Sequence, residues 1–576
     1  MDSDEEHDKI LDIFADNLSD IPSESDESFD SGNDTVTPSK RQTIVISSDS
    51  EPENLNNSTH DFECNLRLGC QDNDWSKEDF QPNLEKFEGN SGVTVLPSDC
   101  KNIIEVTNLI FDNDLFELFC HQSNIYYNQN LGKHKISKTK KWSPVTPTDM
   151  KKFLGLIVLM GRTRKDTWKE YWSTNPALAV PIFPQTMTRN RFEQIWTYWH
   201  FNDNANLTKS SSRLFKIQSV LDHFISKFQT IYKPMRELSL DEGMIPWRGR
   251  LLFQTYNPAK IIKYGLLVRM VCESKTGYIC NMEIYTGEGK KLNDSLLSLL
   301  RPYLDLGHHI YQGKYYGSIS IAETLLLHKT RVCGTIRTRG LPKCLKDEAS
   351  TLQRGKIAFR RKGDVLLLIW KGKREVRIIS TIHDASSCET EKTNWHTGEE
   401  IKKPVSIVQY NNYVQGVDLA GQYLSTCSIL RKPIKWTKKV VLYLINCGLF
   451  NSFRIYQALN PGSRVRYKDF LLTVATEWIS SEVDKSADPE FSNPDPSRVR
   501  STRAPQKDHP QRLSGNMKQH IPVPIPSSNK KKYPTKVCRV CKRNGKRRET
   551  RYICQLCLVP LHITQCFTKY HTLRRY

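Results

Sequence analysis

Apolar residues recur at helical spacing along residues 101–235. Ile103, Val106 and Ile110 open the pattern, at intervals of three and four positions. The same spacing returns at Phe192, Ile195, Trp196 and Trp199, and again at Leu214, Ile217, Val220, Leu221 and Phe224. Residues at these intervals share one face of an α-helix, so the pattern predicts a helical region.

The pattern changes at residue 236 to short runs of β-branched and other apolar residues. Turn residues bound the runs, which is typical of strands, and helical spacing returns between the later runs. The predicted strands are 236–240, 261–271, 278–285, 309–312 and 331–337, and the predicted helices are 292–304 and 319–328. Three strands followed by alternating helices and strands is the order of a ribonuclease H-like α/β core. We therefore assign residues 236–337 to the first part of such a core.

The chain after residue 337 divides into four regions. Residues 338–405 contain further strand-like runs, which we interpret as a β-rich insertion. Apolar positions return to helical spacing from 436 to 456, so residues 406–480 are predicted to be the C-terminal helices of the core. The last two regions are a Pro-rich basic linker at 481–533 and a cysteine-rich domain at 534–576.

Residues 1–100 are acidic, rich in Ser, Asp and Asn, and poor in apolar periodicity, so we predict a disordered tail. Within it, Ile44, Val45 and Ile46 precede the acidic, phosphorylatable sequence 47–51. A β-branched triplet with such a neighbour resembles a SUMO-interacting motif, which would add a strand to the sheet edge of its partner. The alternative is a chance match in a Ser/Asp-rich tail. The motif makes SUMO or a chromatin protein a candidate partner.

Charge is distributed unevenly along the chain. Residues 1–60 hold 16 acidic against 3 basic side chains, whereas the whole chain has a formal net charge of +21. Taking −13 from +21 leaves +34 for the remainder. A basic excess of this size is typical of proteins that bind nucleic acid.

No segment is predicted to enter a membrane. The longest promising apolar run, residues 153–160, is far shorter than the roughly 20 residues that a spanning helix needs. The acidic N-terminus also differs from the basic and then apolar sequence of a secretory signal. We expect a soluble protein of the cell interior without a membrane partner.

Asp241 follows the first predicted strand of the core, in the sequence Leu240-Asp241-Glu242-Gly243. Two-metal cleavage or joining of nucleic acid requires carboxylates from separate elements to meet at one point, because Mg²⁺ prefers oxygen ligands. An Asp at the end of a strand suits the first such ligand. Taken alone it is weak evidence, because turns also favour Asp.

Three stretches, in the same order, resemble conserved motifs of the piggyBac transposase family. They are Asp241-Glu242 followed by Trp247-Arg248-Gly249-Arg250, residues 260–267 (Lys-Ile-Ile-Lys-Tyr-Gly-Leu-Leu), and residues 409–422 (Gln-Tyr-Asn-Asn-Tyr-Val-Gln-Gly-Val-Asp-Leu-Ala-Gly-Gln). Together with the cysteine-rich tail, the resemblance covers about residues 100–576. It implies a ribonuclease H-like fold, double-stranded DNA as partner, and a homodimer in which residues 101–235 serve dimerisation and DNA binding.

The departures from the family pattern concern its acidic residues. The second catalytic Asp of the family stands in an Asp-Asn-aromatic-aromatic-x-Ser motif, where this chain has Gly313 and Lys314 in place of Asp-Asn. The third catalytic position is kept as Asp418, and a fourth acidic position three residues later is Gly421. Glycine offers no carboxylate and lysine adds a cation, so both changes disfavour Mg²⁺.

The resemblance therefore implies a DNA-binding protein without transposition activity, in which Asp241 and Asp418 are remnants of a catalytic set. The alternative is an active cut-and-paste transposase that cleaves and joins DNA on an altered acidic set. Asp241, Glu242 and Asp418 either hold one ion weakly or are relics of the fold, and we favour relics. Mg²⁺ is expected as a cofactor only if catalytic activity remains.

The cysteine-rich domain contains paired Cys-x2-Cys spacings followed by further Cys and His, a pattern typical of structural zinc sites. The candidate ligands are Cys538, Cys541, Cys554, Cys557, His562, Cys566 and His571. Two tetrahedral sites need one ligand more, so one site would borrow a ligand or hold a water. A cross-brace pairing places Cys538, Cys541, Cys566 and His571 on one ion, and Cys554, Cys557 and His562 on the other.

Basic residues lie between the paired cysteines and suit contact with DNA phosphates. They are Lys542, Arg543, Lys546, Arg547, Arg548 and Arg551. In the family this module recognises the end sequence of the element, so the resemblance implies sequence-specific binding. The alternative is a small zinc-stabilised fold without a role in DNA binding. With residues 530–532, the basic run also predicts a nuclear localisation signal, and hence the nucleus.

Overall fold

The computed structural model describes residues 44–45, 75–130, 142–257, 262–393, 400–430, 435–481, 508, 510–513, 520–526, 533–573 and 576. The chain divides into two compact units, Met1–Glu482 and Val483–Tyr576. Within these described ranges, no helix has both the length and the apolar character needed to cross a bilayer.

Helices occupy the region that the sequence predicts to be helical. They are α1 (Ile103–Asn108), α2 (Asn113–Gln129), α3 (Pro147–Arg162), α4 (Ile182–Thr186), α5 (Arg189–Tyr198) and α6 (Gln218–Ile231). The start of α3 is fixed by a capping box, in which the side chains of Thr146 and Asp149 each accept a hydrogen bond from the other residue's backbone. The role of this region in dimerisation and DNA binding stays a prediction.

A large sheet dominates the first unit. Its strands and their neighbours are β1 (Ile44–Val45), β2 (Gly92–Val93), β3 (Tyr232–Lys233), β4 (Glu237–Pro246), β5 (Thr255–Tyr256), β6 (Tyr264–Glu273), β7 (Ile279–Ile284), β8 (His309–Gln312), β9 (Arg331–Thr335), β10 (Ile357–Lys362), β11 (Val365–Lys371), β12 (Glu375–Ser380), β13 (Ser387–Thr393) and β14 (Glu400–Pro404). Ten strands form one sheet in the order β1-β5-β6-β4-β8-β9-β12-β11-β10, with β7 paired to β6. The central strands β4, β8 and β9 are parallel.

Further helices alternate with the later strands and then close the unit. They are α7 (Leu292–Leu300), α8 (Ile319–Leu327), α9 (Lys343–Ser350), α10 (Val405–Tyr413), α11 (Gly416–Thr426), α12 (Trp436–Leu459) and α13 (Tyr467–Ser480). The order from β4 to β9 is the one predicted for the core. The mixed α/β class predicted from the sequence is therefore confirmed.

The helices α10 to α12 cover one face of the sheet. Ser239 Oγ donates to Val414 O at 2.5 Å, and Tyr443 on α12 lies with its hydroxyl 3.4 Å from Met270 Sδ on β6. Alternate residues of a strand share a face, so Asp241 lies on the same covered face as Ser239.

The β-rich region 338–405 extends the main sheet instead of forming a separate subdomain. β10, β11 and β12 are antiparallel neighbours, and β12 pairs with β9, with Ser380 opposite Cys333. The hairpin of β13 and β14 is separate from that sheet. Pairing between distant segments leaves no mark in local residue spacing, so the sequence indicated the strands but not their place.

Residues 75–100, which we call the N-terminal strap, are packed against the first unit. Asp79 Oδ1 lies 3.0 Å from Arg361 Nη2, and Glu85 Oε2 lies 2.6 Å from Arg331 Nε. Both arginines are buried, so these carboxylates neutralise charges that would otherwise be unpaired in the interior. The prediction of a disordered tail is therefore wrong for the strap. Residues 1–43 and 46–74 lie outside the described residues.

Two residues of the β-branched triplet, Ile44 and Val45, are placed on the chain's own sheet. β1 pairs in parallel with β5, with Ile44 opposite Thr255 and Val45 opposite Tyr256. The motif was expected to add a strand to the sheet of a partner. Ile46 and the acidic sequence 47–51 lie outside the described residues.

The second unit is a small domain of short elements. They are β15 (Pro522–Pro524), β16 (Lys536–Val537), α14 (Arg539–Arg543), β17 (Glu549–Thr550), β18 (Tyr552–Cys554) and α15 (Gln565–Thr572). β15 pairs with β18, and Arg512 Nη1 donates to Tyr570 O at 2.6 Å. Parts of the predicted linker 481–533 therefore belong to this domain, which begins before residue 534.

Candidate carboxylate and metal sites

Asp241 lies in the middle of β4, beside the point where β8 ends. Gly313, the first residue after β8, donates its N–H to Leu240 O at 3.2 Å. A Cβ at position 313 would lie 3.3 Å from Asp241 Oδ1, so a side chain there would point at the Asp241 carboxylate. The structure thus brings together the first two predicted acidic positions, and one of them has no side chain.

Asp418 stands in the first turn of α11, which begins against β4. A Cβ at Gly416 would lie 2.9 Å from Ser239 Cβ, and Val417 N donates to Ser239 Oγ at 3.4 Å. Burial raises the pKa of Tyr410 to about 12 against the lowering effect of its hydrogen bond with Thr335, and the charges of Asp241, Cys333 and Asp418 add smaller increases. Gly416 and Ser239 precede Asp418 and Asp241 by two residues each, so their contact places the two predicted remnants in one neighbourhood.

Gly421 lies three residues after Asp418 on α11, and residues at this interval share a helix face. A Cβ there would have open space around it, with no atom within 4 Å. Positions 313 and 421 could therefore both carry a carboxylate without a backbone clash, but neither does.

Glu242 lies on the opposite face of β4 from Asp241. In the sheet it is directly opposite Arg269, whose Nη1 is 2.8 Å from Glu283 Oε2 on β7. Burial and then the charges of Glu242 and Asp241 hold the pKa of the Tyr316 hydroxyl well above its usual value. Strand alternation therefore places Glu242 on the other face of β4 from Asp241, which favours the interpretation of these residues as relics over a shared ion.

The second unit contains two groups of four Cys and His side chains. One group is Cys538, Cys541, His562 and Cys566, and the other is His520, Cys554, Cys557 and His571. Within each group the ligand atoms all lie within 4.8 Å of one another. The two groups interleave along the chain, so the predicted cross-brace topology is present.

The predicted pairing of the histidines is wrong. Cys566 and His571 were assigned to one ion, yet they belong to different groups. They lie five positions apart on α15, which turns them roughly 140° from each other around the helix axis. His562 takes the place beside Cys566, with its Nδ1 3.6 Å from Cys541 Sγ.

His520 supplies the ligand that the sequence left unassigned. Its Nδ1 lies 3.5 Å from Cys554 Sγ and 3.4 Å from Cys557 Sγ, and the residue is buried. It stands well before Cys538, inside the segment interpreted as a linker. The odd number of ligands was the signal that could have found it.

Both groups fit a tetrahedral Zn²⁺. Zinc bonds of about 2.0–2.3 Å place neighbouring tetrahedral ligand atoms roughly 3.3–3.8 Å apart. Cys541 Sγ and Cys566 Sγ are 3.7 Å apart, and Cys557 Sγ and His571 Nε2 are 3.5 Å apart. The other ring nitrogens of two histidines meet backbone carbonyls, His571 at Phe567 O (2.8 Å) and His562 at Glu549 O (3.2 Å). Such contacts orient ligating histidines in zinc sites.

The predicted DNA-contacting residues are all exposed. They lie at the end of α14 (Lys542, Arg543), in the loop before β17 (Lys546, Arg547, Arg548) and between β17 and β18 (Arg551). Arg543 also has partners inside the domain, because its Nη1 lies 3.5 Å from Asp508 Oδ2 and its guanidinium lies 4.8 Å from the Tyr576 ring. The remaining five form a positively charged surface segment.

Known proteins resemble both units. A family model described as Transposase IS4 matches residues 104–453, and one described as a DDE_Tnp_1-like zinc finger matches residues 518–572, which include His520. PiggyBac transposable element-derived protein 2 of Homo sapiens is 22% identical over 441 residues, which cover 72% of this chain and 71% of that protein. PiggyBac transposable element-derived protein 3 of Homo sapiens is 24% identical over 513 residues, covering 83% and 78%.

A solved structure has the same fold. It is the cryo-EM structure of a piggyBac transposase synaptic complex with hairpin DNA, with a TM-score of 0.60 and 21% sequence identity. The match covers 83% of this chain and 100% of that chain.

Proposed function

The chain belongs to the piggyBac-type transposase family, and on that premise we propose that it is a sequence-specific DNA-binding protein without transposition activity. The observation that carries this proposal is Gly313. A side chain at this position would meet Asp241 Oδ1, and glycine leaves that place without a carboxylate. A two-metal site needs ligands that bridge or flank both ions, so the site is incomplete for Mg²⁺.

The loss of a metal ligand is expected to be costly for catalysis. In phosphoryl transfer, the two ions stabilise the attacking and leaving oxygens and supply much of the lowering of the barrier. Each 1.4 kcal/mol of lost stabilisation slows the reaction about tenfold, so a weakened ion pair costs orders of magnitude. Gly421 removes a second acidic position on the helix that carries Asp418.

DNA binding is assigned to the second unit. Its two Cys/His groups would each hold one structural Zn²⁺, which would fix the loops that carry the exposed basic residues. The solved relative was observed with hairpin DNA, and a chain with a net charge of +21 favours a polyanion. We further propose a nuclear location, a homodimer, and SUMO or a chromatin protein as the partner of residues 44–46, whose strand β1 would leave β5 on binding.

The proposal is tested by incubating the purified full-length chain with duplex DNA selected from a random pool by its own binding. We expect binding that is lost when a chelator removes zinc, and no nicking of that DNA with Mg²⁺ or Mn²⁺. Sequence preference in the selected pool distinguishes specific binding from charge alone. A pool without enriched sequences would contradict specificity.

The second candidate function is an active cut-and-paste transposase, and the proximity of Asp241 and Asp418 favours it. Its signature would be Mg²⁺-dependent nicking that Asp241→Ala abolishes. The Glu323→Ala variant is the matched control, because Glu323 is a carboxylate on α8 that pairs with Lys362 and plays no part in the site. Nicking lost in the first variant and kept in the second would establish the enzyme and overturn the first proposal.

A further inference from the structure

The two Cys/His groups of the second unit differ in their exposure to water. In the group that contains His520 all four side chains are buried, and we call it the closed group. In the other group only Cys538 is buried, whereas Cys541, His562 and Cys566 are partly exposed, and we call it the open group. A small molecule in water therefore reaches thiols of the open group more readily than those of the closed group.

The open group also holds the larger number of thiols. It has three, against two in the closed group, where a second histidine takes the remaining place. Zinc binds cysteine in the thiolate form, and the thiolate is the form that hydroperoxides oxidise. The number of thiols and their exposure both make the open group the more easily oxidised of the two.

The two partly exposed thiols of the open group face each other from different helices. Cys541 lies on α14 and Cys566 on α15, and their Sγ atoms are 3.7 Å apart. A disulfide bond has a length of about 2.05 Å, so the two sulfurs have to approach by about 1.7 Å. Cys538, the third thiol, is 0% exposed and is the less accessible partner for a reaction that starts from water.

Basic residues lie beside Cys541. Lys542 follows it on α14, and the N–H of Lys546 donates to Cys541 O at 2.9 Å. Reactive cysteines typically have electropositive and partly exposed surroundings. Positive charge also stabilises the hydroxide ion that leaves when the O–O bond of a peroxide breaks. We therefore expect Cys541 to react first.

Resting on the DNA-binding function proposed above, we propose that Cys541 and Cys566 are a modification site for hydroperoxides, and that their oxidation to a disulfide lowers DNA binding. Cys541 attacks hydrogen peroxide, so that an S–O bond forms, the O–O bond breaks and hydroxide leaves a sulfenic acid behind. Cys566 then attacks the sulfenic sulfur, so that an S–S bond forms and the S–O bond breaks. In total, two thiolates, one hydrogen peroxide and two protons from water give one disulfide and two water molecules.

The disulfide removes two of the four ligands of the open group. Cys538 and His562 remain, and two ligands do not complete a tetrahedral zinc site, so this group loses its metal. The closed group keeps all four of its ligands.

The open group holds the basic residues 542–548 at both ends. Lys546 N donates to Cys541 O at one end, and Cys538 N donates to Arg548 O at 2.8 Å at the other. Structural zinc contributes folding energy directly, so its loss releases these ties. The exposed basic side chains are then no longer fixed for contact with DNA phosphates, and the affinity for DNA falls.

The first test maps oxidation in the zinc-loaded full-length chain. Hydrogen peroxide is titrated in the presence of a chromogenic zinc chelator, and disulfides are identified by mass spectrometry after non-reducing digestion. We expect one of the two zinc ions to be released first, together with a peptide pair joined through Cys541 and Cys566, while the thiols of the closed group stay reduced. Simultaneous release of both ions, or a first bond between Cys538 and Cys541, would overturn the inference.

A second test uses Cys566→His, which removes one thiol of the pair and keeps a side chain that can bind zinc. We expect this variant to need a higher peroxide concentration for zinc release than the unchanged chain. Cys100→Ser removes a partly exposed cysteine of the first unit and is the matched control, with release at the unchanged concentration. Equal sensitivity of all three proteins would contradict the pair. If Cys566→His loads zinc poorly, the bond mapped in the unchanged chain decides.

DNA binding separates this inference from the proposed function. The duplex selected by the unchanged chain is titrated with reduced protein, with peroxide-treated protein, and with treated protein after addition of a thiol reductant and zinc. We expect oxidation to lower the affinity by about tenfold or more, because phosphate contacts are lost, and reduction to restore it. If reduced and oxidised protein bind equally well, the inference fails and the DNA-binding function stands. If reduced protein binds no duplex, the proposed function fails and takes the regulation with it, while the mapped disulfide is still measured on its own.

Discussion

At the scale of single residues, position 313 decides the chemistry of the core. Gly313 does not have a positive φ, so its backbone conformation is open to residues with a side chain. The Cβ of an introduced residue would lie 3.3 Å from Asp241 Oδ1, so an Asp would place two carboxylates side by side. Such a pair repels when no cation is present and can share Mg²⁺ when one is.

We expect Gly313→Asp to melt at a lower temperature than the unchanged chain in Mg²⁺-free buffer, and to gain more from added Mg²⁺. A ligand at a hundred times its dissociation constant stabilises the folded state by about 2.7 kcal/mol. Thermal melts over a Mg²⁺ titration measure both effects. The control is Gly313→Asn, which has the same size without the charge. An equal response to Mg²⁺ in the two variants would show that position 313 does not face a metal site.

Substitution of His520 tests whether this residue is a zinc ligand in the second unit. The unchanged chain is expected to hold two zinc ions, and His520→Ala to hold about one or to bind the second weakly, because a tetrahedral site then lacks a ligand. Elemental analysis of the dialysed full-length protein gives the ratio. His121→Ala, an exposed histidine on α2, should keep both ions. A full complement of zinc in His520→Ala would assign the fourth ligand elsewhere.

The residues of the metal groups were partly predictable. The two Cys-x2-Cys pairs, with the Cys and His that follow them, identified seven ligands, because zinc binds sulfur and nitrogen donors at such spacings. The predicted assignment of Cys566 and His571 to one ion was wrong. Their separation of five residues on one helix turns them away from each other, which argues against a shared ion. His520 was out of reach of local spacing, since β15 brings it to the domain by pairing with β18.

At the scale of elements, strand alternation sorts the acidic residues that the sequence places side by side. Asp241 and Glu242 are neighbours in the chain, yet β4 turns them to opposite faces. The predicted strand ended before Asp241, whereas β4 runs on to Pro246 because β6 pairs with it from Leu238 to Pro246. The alternation of a strand fixes the face of each of its residues. The sequence therefore failed to predict the faces of Asp241 and Glu242 only because it placed the end of the strand too early.

The N-terminal strap is held by charge as well as by packing. Arg331 is 3% exposed, and its guanidinium contacts Glu85, Asp364 and Asn83 O. Burial alone would raise the pKa of Glu85, but the hydrogen bond and charge of Arg331 outweigh it and the pKa is lowered. The pair therefore stabilises the folded chain above the pKa of Glu85 in the unfolded state, and loses that contribution in acid.

We expect Glu85→Gln to lower the free energy of unfolding by about 1–2 kcal/mol near neutral pH. Removing one partner of a buried pair costs more, but Glu85 is partly exposed and Asp364 remains beside Arg331. Urea unfolding of the full-length chain measures the difference, which should shrink as pH falls. Glu88→Gln, an exposed neighbour on the same strap, should be neutral. Equal stabilities of the two variants would mean that the strap does not depend on this pair.

At the scale of the whole first unit, the segment before residue 101 pairs with the outermost of the other strands at both ends of the main sheet. β1 pairs with β5 at one end of the strand order, and Ser76 bridges to Arg361 on β10 at the other. Exposed strand edges are templates for pairing with other chains. An acidic segment is suited to protecting strand edges, because its negative charge repels the same segment of another chain and so opposes edge-to-edge pairing.

Deletion of residues 1–100 should therefore expose both edges and leave the buried Arg331 and Arg361 without Glu85 and Asp79. We expect the shortened chain to melt at a lower temperature and to form concentration-dependent assemblies larger than those of the full chain, because unpaired strands bind one another. Size-exclusion chromatography with light scattering measures the mass over a range of concentrations. Deletion of residues 1–43, which keeps β1 and the strap, is the matched control and should preserve the mass of the full-length protein. If both deletions leave mass and melting temperature unchanged, the sheet edges are protected by their own residues and the strap is dispensable.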